Sequence, residues 1–169
     1  VIVFSDSDLI MEPNQFIEGL KSIEKYEMVS PYSSVLDLNP QESNLQLQDM
    51  LKIDRPGRGE TDNQKINICG GISIFRKDTI QKIAGWNEDF IGWGGEDDFQ
   101  TIKVENFLTY TTLPYKCYHL YHNREVPNQN GYQRTLQLLQ TLRNLSKDDL
   151  VKAINFSLPK IGLINKYDN

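Results

Sequence analysis

Apolar and polar positions along this chain switch between two periods, and the switches mark its elements. The opening run Val1-Ile2-Val3-Phe4 is continuously apolar, as expected of a buried strand of the parallel type. The polar cluster Ser5-Asp6-Ser7-Asp8 stands at its carboxyl end, where ligands bind in open α/β sheets. Glu12-Pro13-Asn14 then starts a helix with Pro in its first turn. Phe16, Ile17, Leu20 and Ile23 would form its apolar face. Met28 to Leu38 reads as extended, and residues 41–53 allow a short helix through Leu45, Leu47, Met50 and Leu51. Residues 54–65 form a polar loop punctuated by Gly and Pro. Its two arginines either face phosphate or lie solvated on the surface. Ile66 to Phe75 is a strand interrupted by Gly70-Gly71, and Arg76 to Ala84 is a helix closed by Gly85. Glu96 to Phe107 is a helix with acids at its amino-terminal end, and Thr109 to Tyr121 is strand-like. A loop over 123–131, with Pro127 and Gly131, leads to helices over 132–144 and 147–156.

The 169 residues make one domain, with no repeat or low-complexity segment. Hydrophobic content of 38% and charged content of 24% belong to a folded chain. The net charge of −5 argues against a nucleic-acid surface. It also opposes capture of an anionic donor unless a cation neutralises the site. No apolar run reaches membrane-spanning length. A cytoplasmic location is therefore expected, or a membrane-peripheral one within a longer protein. Cys69 and Cys117 read as a reduced pair. The chain opens on Val1 in mid-strand, so a fragment lacking its amino-terminal part is expected.

Four clusters carry candidate chemistry. In Asp6-Ser7-Asp8, two carboxylates on one turn can reach one site and suit a hard divalent cation. In Cys69-Gly70-Gly71-Ile72-Ser73, paired glycines inside a strand pattern mark a bulge or a close ligand approach. In Gly92-Trp93-Gly94-Gly95-Glu96-Asp97-Asp98, glycines, one flat aromatic and three acids stand together. That mixture suits a sugar site, which needs a stacking face, close backbone and a carboxylate base. Acids favoured by a helix dipole would explain the last three residues but not the first four. The chain's two histidines, His119 and His122, stand three apart and downstream of the acids, as ligands would. In an ideal strand, positions three apart face opposite ways, so joint ligation requires a bend.

These four clusters, in this order from about Val3 to about Arg134, resemble the β-1,4-galactosyltransferase-like family of GT-A glycosyltransferases. The resemblance implies an α/β fold, a GT-A-type mixed sheet flanked by helices that lacks the first nucleotide-binding βαβ segments. It implies one domain over 1–169, the carboxyl-terminal part of a catalytic domain, with the motifs in 1–134 and a helical tail over 135–169. It implies a divalent metal, Mn²⁺ or Mg²⁺, on Asp8 and His122, with His119 standing where some members have methionine. Asp6 would contact the nucleotide sugar, and Gly70 and Gly71 would line the cleft. Trp93 would touch both sugars, flanked by Gly94 and Gly95, with Asp98 beside the site. Glu96 would bind the acceptor and Asp97 would be the catalytic base. Ile91 stands where the family often has an aromatic. Ile68 stands at the position that gates donor choice, where its size hints at N-acetylhexosamine; the alternative is that it is simply a buried strand residue. The partners implied are a UDP-sugar and a saccharide acceptor, in transfer of galactose or N-acetylhexosamine with inversion, as in polysaccharide biosynthesis. Two alternatives remain: an inactive fragment or sugar-binding module of such an enzyme, and a haloacid-dehalogenase-type phosphatase with Asp6 as nucleophile.

Overall fold

A computed structural model describes residues 1–61, 66–123 and 129–157. Two small mixed sheets with helices around them form the scaffold, an α/β arrangement of the expected class. The larger sheet holds β1 (Ile2–Phe4), β5 (Ser73–Phe75), β3 (Met28–Ser30) and β6 (Tyr110–Thr112), in that spatial order. The smaller holds β2 (Leu9–Ile10), β7 (Lys116–His119) and β4 (Ser34–Asp37).

The extended segments 28–38 and 109–121 are both present, but each is cut in two. β3 runs parallel to β6 with Met28 opposite Tyr110, and β4 runs parallel to β7 with Ser34 opposite Lys116. One register thus continues through both sheets. Pro31 and Pro114 mark the break, because neither can donate to a ladder. β1 differs from expectation in a second way. It pairs antiparallel with β5 at the sheet edge, and Val3 is exposed between the half-buried Ile2 and Phe4. The glycine-interrupted strand begins only at Ser73, because Gly71 takes a φ of +92°.

The helices α1 (Pro13–Ser22), α2 (Leu47–Met50) and α3 (Lys77–Lys82) connect the strands. Pro13 takes the first position of α1, and Gln15 Oε1 accepts the Glu12 backbone N–H at 2.8 Å. α1 buries Gln15, Gly19 and Ile23, while Ile17 and Leu20 are exposed. The expected apolar face is rotated: Gly19 faces the core, and a Cβ there would meet the Ile74 side-chain tip at 2.6 Å, with Pro31 and Val29 in ordinary contact. Residues 41–53 make a 3₁₀ turn at Glu42–Asn44 and the single turn α2 rather than one helix. α4 (Glu96–Phe107) matches its predicted bounds, and α5 (Gln129–Arg143) and α6 (Lys147–Ser157) follow. Pro127 of the predicted loop lies outside the described residues. Met28, Phe75, Ile80, Ile83 and Val104 form the core under the larger sheet. Leu36, Leu38, Met50 and Tyr118 form the core under the smaller one. Cys69 and Cys117 are free and buried.

Candidate functional site

The acids after β1, the bend after β7 and the first turn of α4 meet in one region. β7 ends at His119, and residues 120–123 leave the strand, held by the Leu120 N–H on the Asp8 carbonyl at 2.8 Å. That departure supplies the bend needed for two histidines three apart to face one point. Asp8 Oδ2 lies 3.4 Å from His119 Nε2 and 3.2 Å from His122 Nε2. The three ligand atoms lie within 4.8 Å of one another. One carboxylate and two imidazoles could hold a divalent first-row cation such as Mn²⁺, so the donor set fits the expected metal. His119 joins His122 on equal terms, with their rings edge to face at 5.3 Å. The histidines also line a shallow cavity of about 530 Å³ with Asp37 and Tyr121.

Asp6 faces the other way, into a cavity of about 740 Å³ that it lines with Gly71, Trp86, Trp93, Glu96 and Asp97. The size suits a small ligand. Burial and the neighbouring Asp8 raise the Asp6 carboxyl above its ordinary range, against a lowering by His119. The backbone N–H of Asp6 donates to Gly71 O at 3.2 Å, tying the acidic turn to the glycine pair. Tyr32 orders that pair from below. Its buried hydroxyl donates to Gly70 O at 2.7 Å and accepts the Ile72 N–H at 3.0 Å. A side chain on Gly71 would overlap Leu9 and the Tyr32 hydroxyl, and one on Gly70 would press Asp97 Oδ2 at 3.3 Å.

Asp97 sits in the first turn of α4, where the helix dipole favours an anion. Its carboxyl is nevertheless pushed up to about 6, by burial first and then by Glu96, with Asp6 and Asp98 adding. The Trp86 indole N–H donates to Asp97 Oδ1 at 3.4 Å and opposes the rise. Trp86 is itself fixed against Phe4 at 4.3 Å and Phe75 at 5.9 Å. Glu96 Oε2 is buried without a hydrogen-bond partner among the described residues. Trp93 is 59% exposed and meets Tyr132 of α5 at 5.7 Å.

Several expected site residues take other places. Asp98 pairs with Arg143 of α5 and is not among the residues lining the cavity. Gly94 lies against Tyr132 and Gly95 against Phe90, so both serve backbone turns, at φ +96° and +93°, and internal packing. Ile68 packs against the core of Met28 and Phe75 rather than lining the cavity. Arg55 and Arg58 are paired with Glu42 and Asp37, so neither phosphate capture nor simple solvation describes them. Conversely, Tyr32 and Asp37 stand at the site without any signal in local sequence, and Trp86, which opens the run that ends in the acids, carried no assigned role. They reach it through contacts across many residues of chain.

Comparison with known proteins follows the same lines. Residues 60–123 match the family model described as "N-terminal domain of galactosyltransferase". Mouse β-1,4-galactosyltransferase 4 is 27% identical over 93 residues, covering 53% of this chain and 27% of its own. Human β-1,4-galactosyltransferase 5 is 29% identical over 116 residues, covering 58% and 30%. Bovine β-1,4-galactosyltransferase 1 is 27% identical over 93 residues, covering 50% and 22%. The chain thus spans less than a third of the length of these relatives. No solved structure matches. The expected cytoplasmic location is overturned, because the relatives are Golgi type II membrane enzymes. Among the described residues no helix is long and apolar enough to cross a membrane. The glycine pair, the tryptophan-flanked acids and the histidine bend all lie within the matched segment, so residues 60–123 are similar in sequence to the galactosyltransferase family.

Proposed function

We propose that this chain carries the metal- and sugar-binding part of a glycosyltransferase that moves a hexose or N-acetylhexosamine from a UDP-sugar to a saccharide hydroxyl. The observation that carries the reading is one arrangement. Asp8, His119 and His122 converge on one point, and Asp6 joins them to a cavity walled by Trp93, Glu96 and Asp97. A divalent cation held there supplies positive charge against the donor diphosphate and its leaving group.

The chain's own residues do the rest. Trp93 offers its exposed face to the sugars. Glu96 accepts a hydroxyl hydrogen bond from the acceptor and orients it. Asp97 takes the proton from the attacking hydroxyl as its oxygen bonds to the anomeric carbon and the nucleotide diphosphate departs. A carboxyl near 6 is ionised at neutral pH yet more basic than an ordinary aspartate, which suits a general base. One in-line displacement inverts the anomeric centre.

The test joins calorimetry and turnover on the purified chain. Cation-dependent binding of UDP is expected for the parent and lost in Asp8→Asn. Asp97→Asn is expected to bind normally and to lose transfer by about 10²–10⁴-fold; full turnover by that variant would remove the base. A second reading is an inactive fragment or sugar-binding module of such an enzyme. Saccharide binding with no UDP binding would favour it. The family match gives the phosphatase alternative no support.

A further inference from the structure

The smaller sheet places one more carboxylate behind the histidines. Asp37 is the direct partner of His119 in the β4–β7 ladder, and Leu9, next to Asp8, is the partner of His119 on the other side. The rows Leu9, His119 and Asp37 therefore cross the sheet in line. Asp37 Oδ1 lies 2.8 Å from His119 Nδ1, while His119 Nε2 faces Asp8. A carboxylate can only accept, so the shorter contact places the neutral ring's proton on Nδ1, and the Nε2 lone pair then faces Asp8 Oδ2 at 3.4 Å, a repulsion that a shared cation would relieve.

The carboxylate is itself held. Arg58 grips it with two bonds, Nε to Oδ2 at 2.8 Å and Nη2 to Oδ1 at 3.0 Å. The loop that carries Arg58 is strapped to β4. Arg58 donates to Val35 O at 2.8 Å and accepts the Val35 N–H at 2.9 Å. A side chain on Gly57 would overlap the Val35 backbone, so the strap requires glycine there. Lys116 of β7 closes the other side of the strap, through Arg55 O at 3.0 Å and Glu60 at 3.2 Å.

We propose that Asp37, locked by Arg58, is a positioning residue that fixes the ring and tautomer of His119 so that Nε2 is presented to a divalent cation shared with Asp8 and His122. The inference rests on the cation-site reading above. A ligand histidine whose second nitrogen is so held binds metal more tightly, and loss of the partner typically costs 10–100-fold in affinity.

The experiment uses the full chain with two readouts. The first is the His119 tautomer, read without metal at pH 8 by ¹⁵N NMR of the imidazoles. The second is Mn²⁺ affinity by calorimetry. The parent is expected to hold the proton on Nδ1. Asp37→Ala is expected to move His119 toward the Nε2-protonated form, leave the His122 signals in place, and weaken Mn²⁺ by about 10–100-fold. Arg58→Gln frees the carboxylate without removing it, and an intermediate loss is expected. Asp37→Glu tests rescue, by partial recovery of affinity over Asp37→Ala. An unchanged tautomer in Asp37→Ala, or Mn²⁺ affinity within twofold of the parent, would overturn the proposal. Asp8→Asn separates the two readings. If it abolishes Mn²⁺ binding while Asp37→Ala does not weaken it, the positioning role fails and the cation site stands. If Asp8→Asn also binds as the parent does, the cation site itself fails. The tautomer readout needs no metal and decides the role of Asp37 in either case.

Discussion

Asp97 combines a buried carboxyl with acidic neighbours, and both properties have measurable results. Its ionisation near 6 sets the rising limb of the activity profile: turnover should climb through about pH 6 and level off above it. The effect on stability has the opposite sense. The folded pKa lies above the unfolded value, so the protonated form is the one the fold favours. That contribution is complete below about pH 4, the unfolded value, and is lost as the pH rises through 6. Asp97→Asn, fixed neutral, should therefore melt higher than the parent at pH 8, by on the order of 1–2 kcal/mol, and match it at pH 4. Tyr32→Phe removes one hydroxyl and takes that partner from the Gly70 carbonyl and the Ile72 N–H. About 1–3 kcal/mol should be lost in chemical denaturation. The grouping of Asp8 with His122, and the place of Asp97 in the cavity wall, were legible in the sequence because the proposed metal and base chemistry restricts residue type. Tyr32 and Asp37 were not, since either could be an ordinary strand or core residue until distant chain is brought beside it.

Among the elements, α4 was readable from its own residues and α1 was not. α4 has glycine before it, acids in its first turn and two neighbours, α5 and α6, that accept its apolar side. α1 has a clear apolar stripe, yet Gly19 decides the contact by letting the helix approach Ile74. Close approach outweighs pattern there. The helices past residue 129 also do more than follow the motifs. Tyr132 lies beside Trp93, the Thr135 hydroxyl, which donates to Tyr132 O at 2.8 Å, stands 3.4 Å from Trp93 O, and Arg143 holds Asp98. Asp98 thus ties α4 to α5. Its pair is partly exposed, so Asp98→Asn should cost no more than about 1 kcal/mol and leave turnover near the parent value, in contrast to Asp97→Asn. A loss of turnover equal to that of Asp97→Asn would return Asp98 to the reacting group.

At the scale of the whole molecule, the proposed cation ligands belong to the smaller sheet, while the base belongs to α4 beside the larger one. Cation binding should therefore be separable from catalysis. Mn²⁺ at one hundred times its Kd should stabilise the parent by about 2.7 kcal/mol, seen as a raised melting temperature, and should not move Asp8→Asn. The sheet class was legible from alternating strands and helices, but its division into two was not. Prolines 31 and 114 each look like minor interruptions in sequence. Their joint effect appears only once the two segments are aligned. That shared register has a consequence for biosynthesis. Among the described residues, every parallel strand pairing joins an early strand to one about 82 residues later. On the ribosome, β3 and β4 must wait, with their parallel edges bare, until β6 and β7 have emerged. A nascent chain stalled before Tyr110 would expose two unpaired edges, making it a natural client for chaperones and a seed for aggregates.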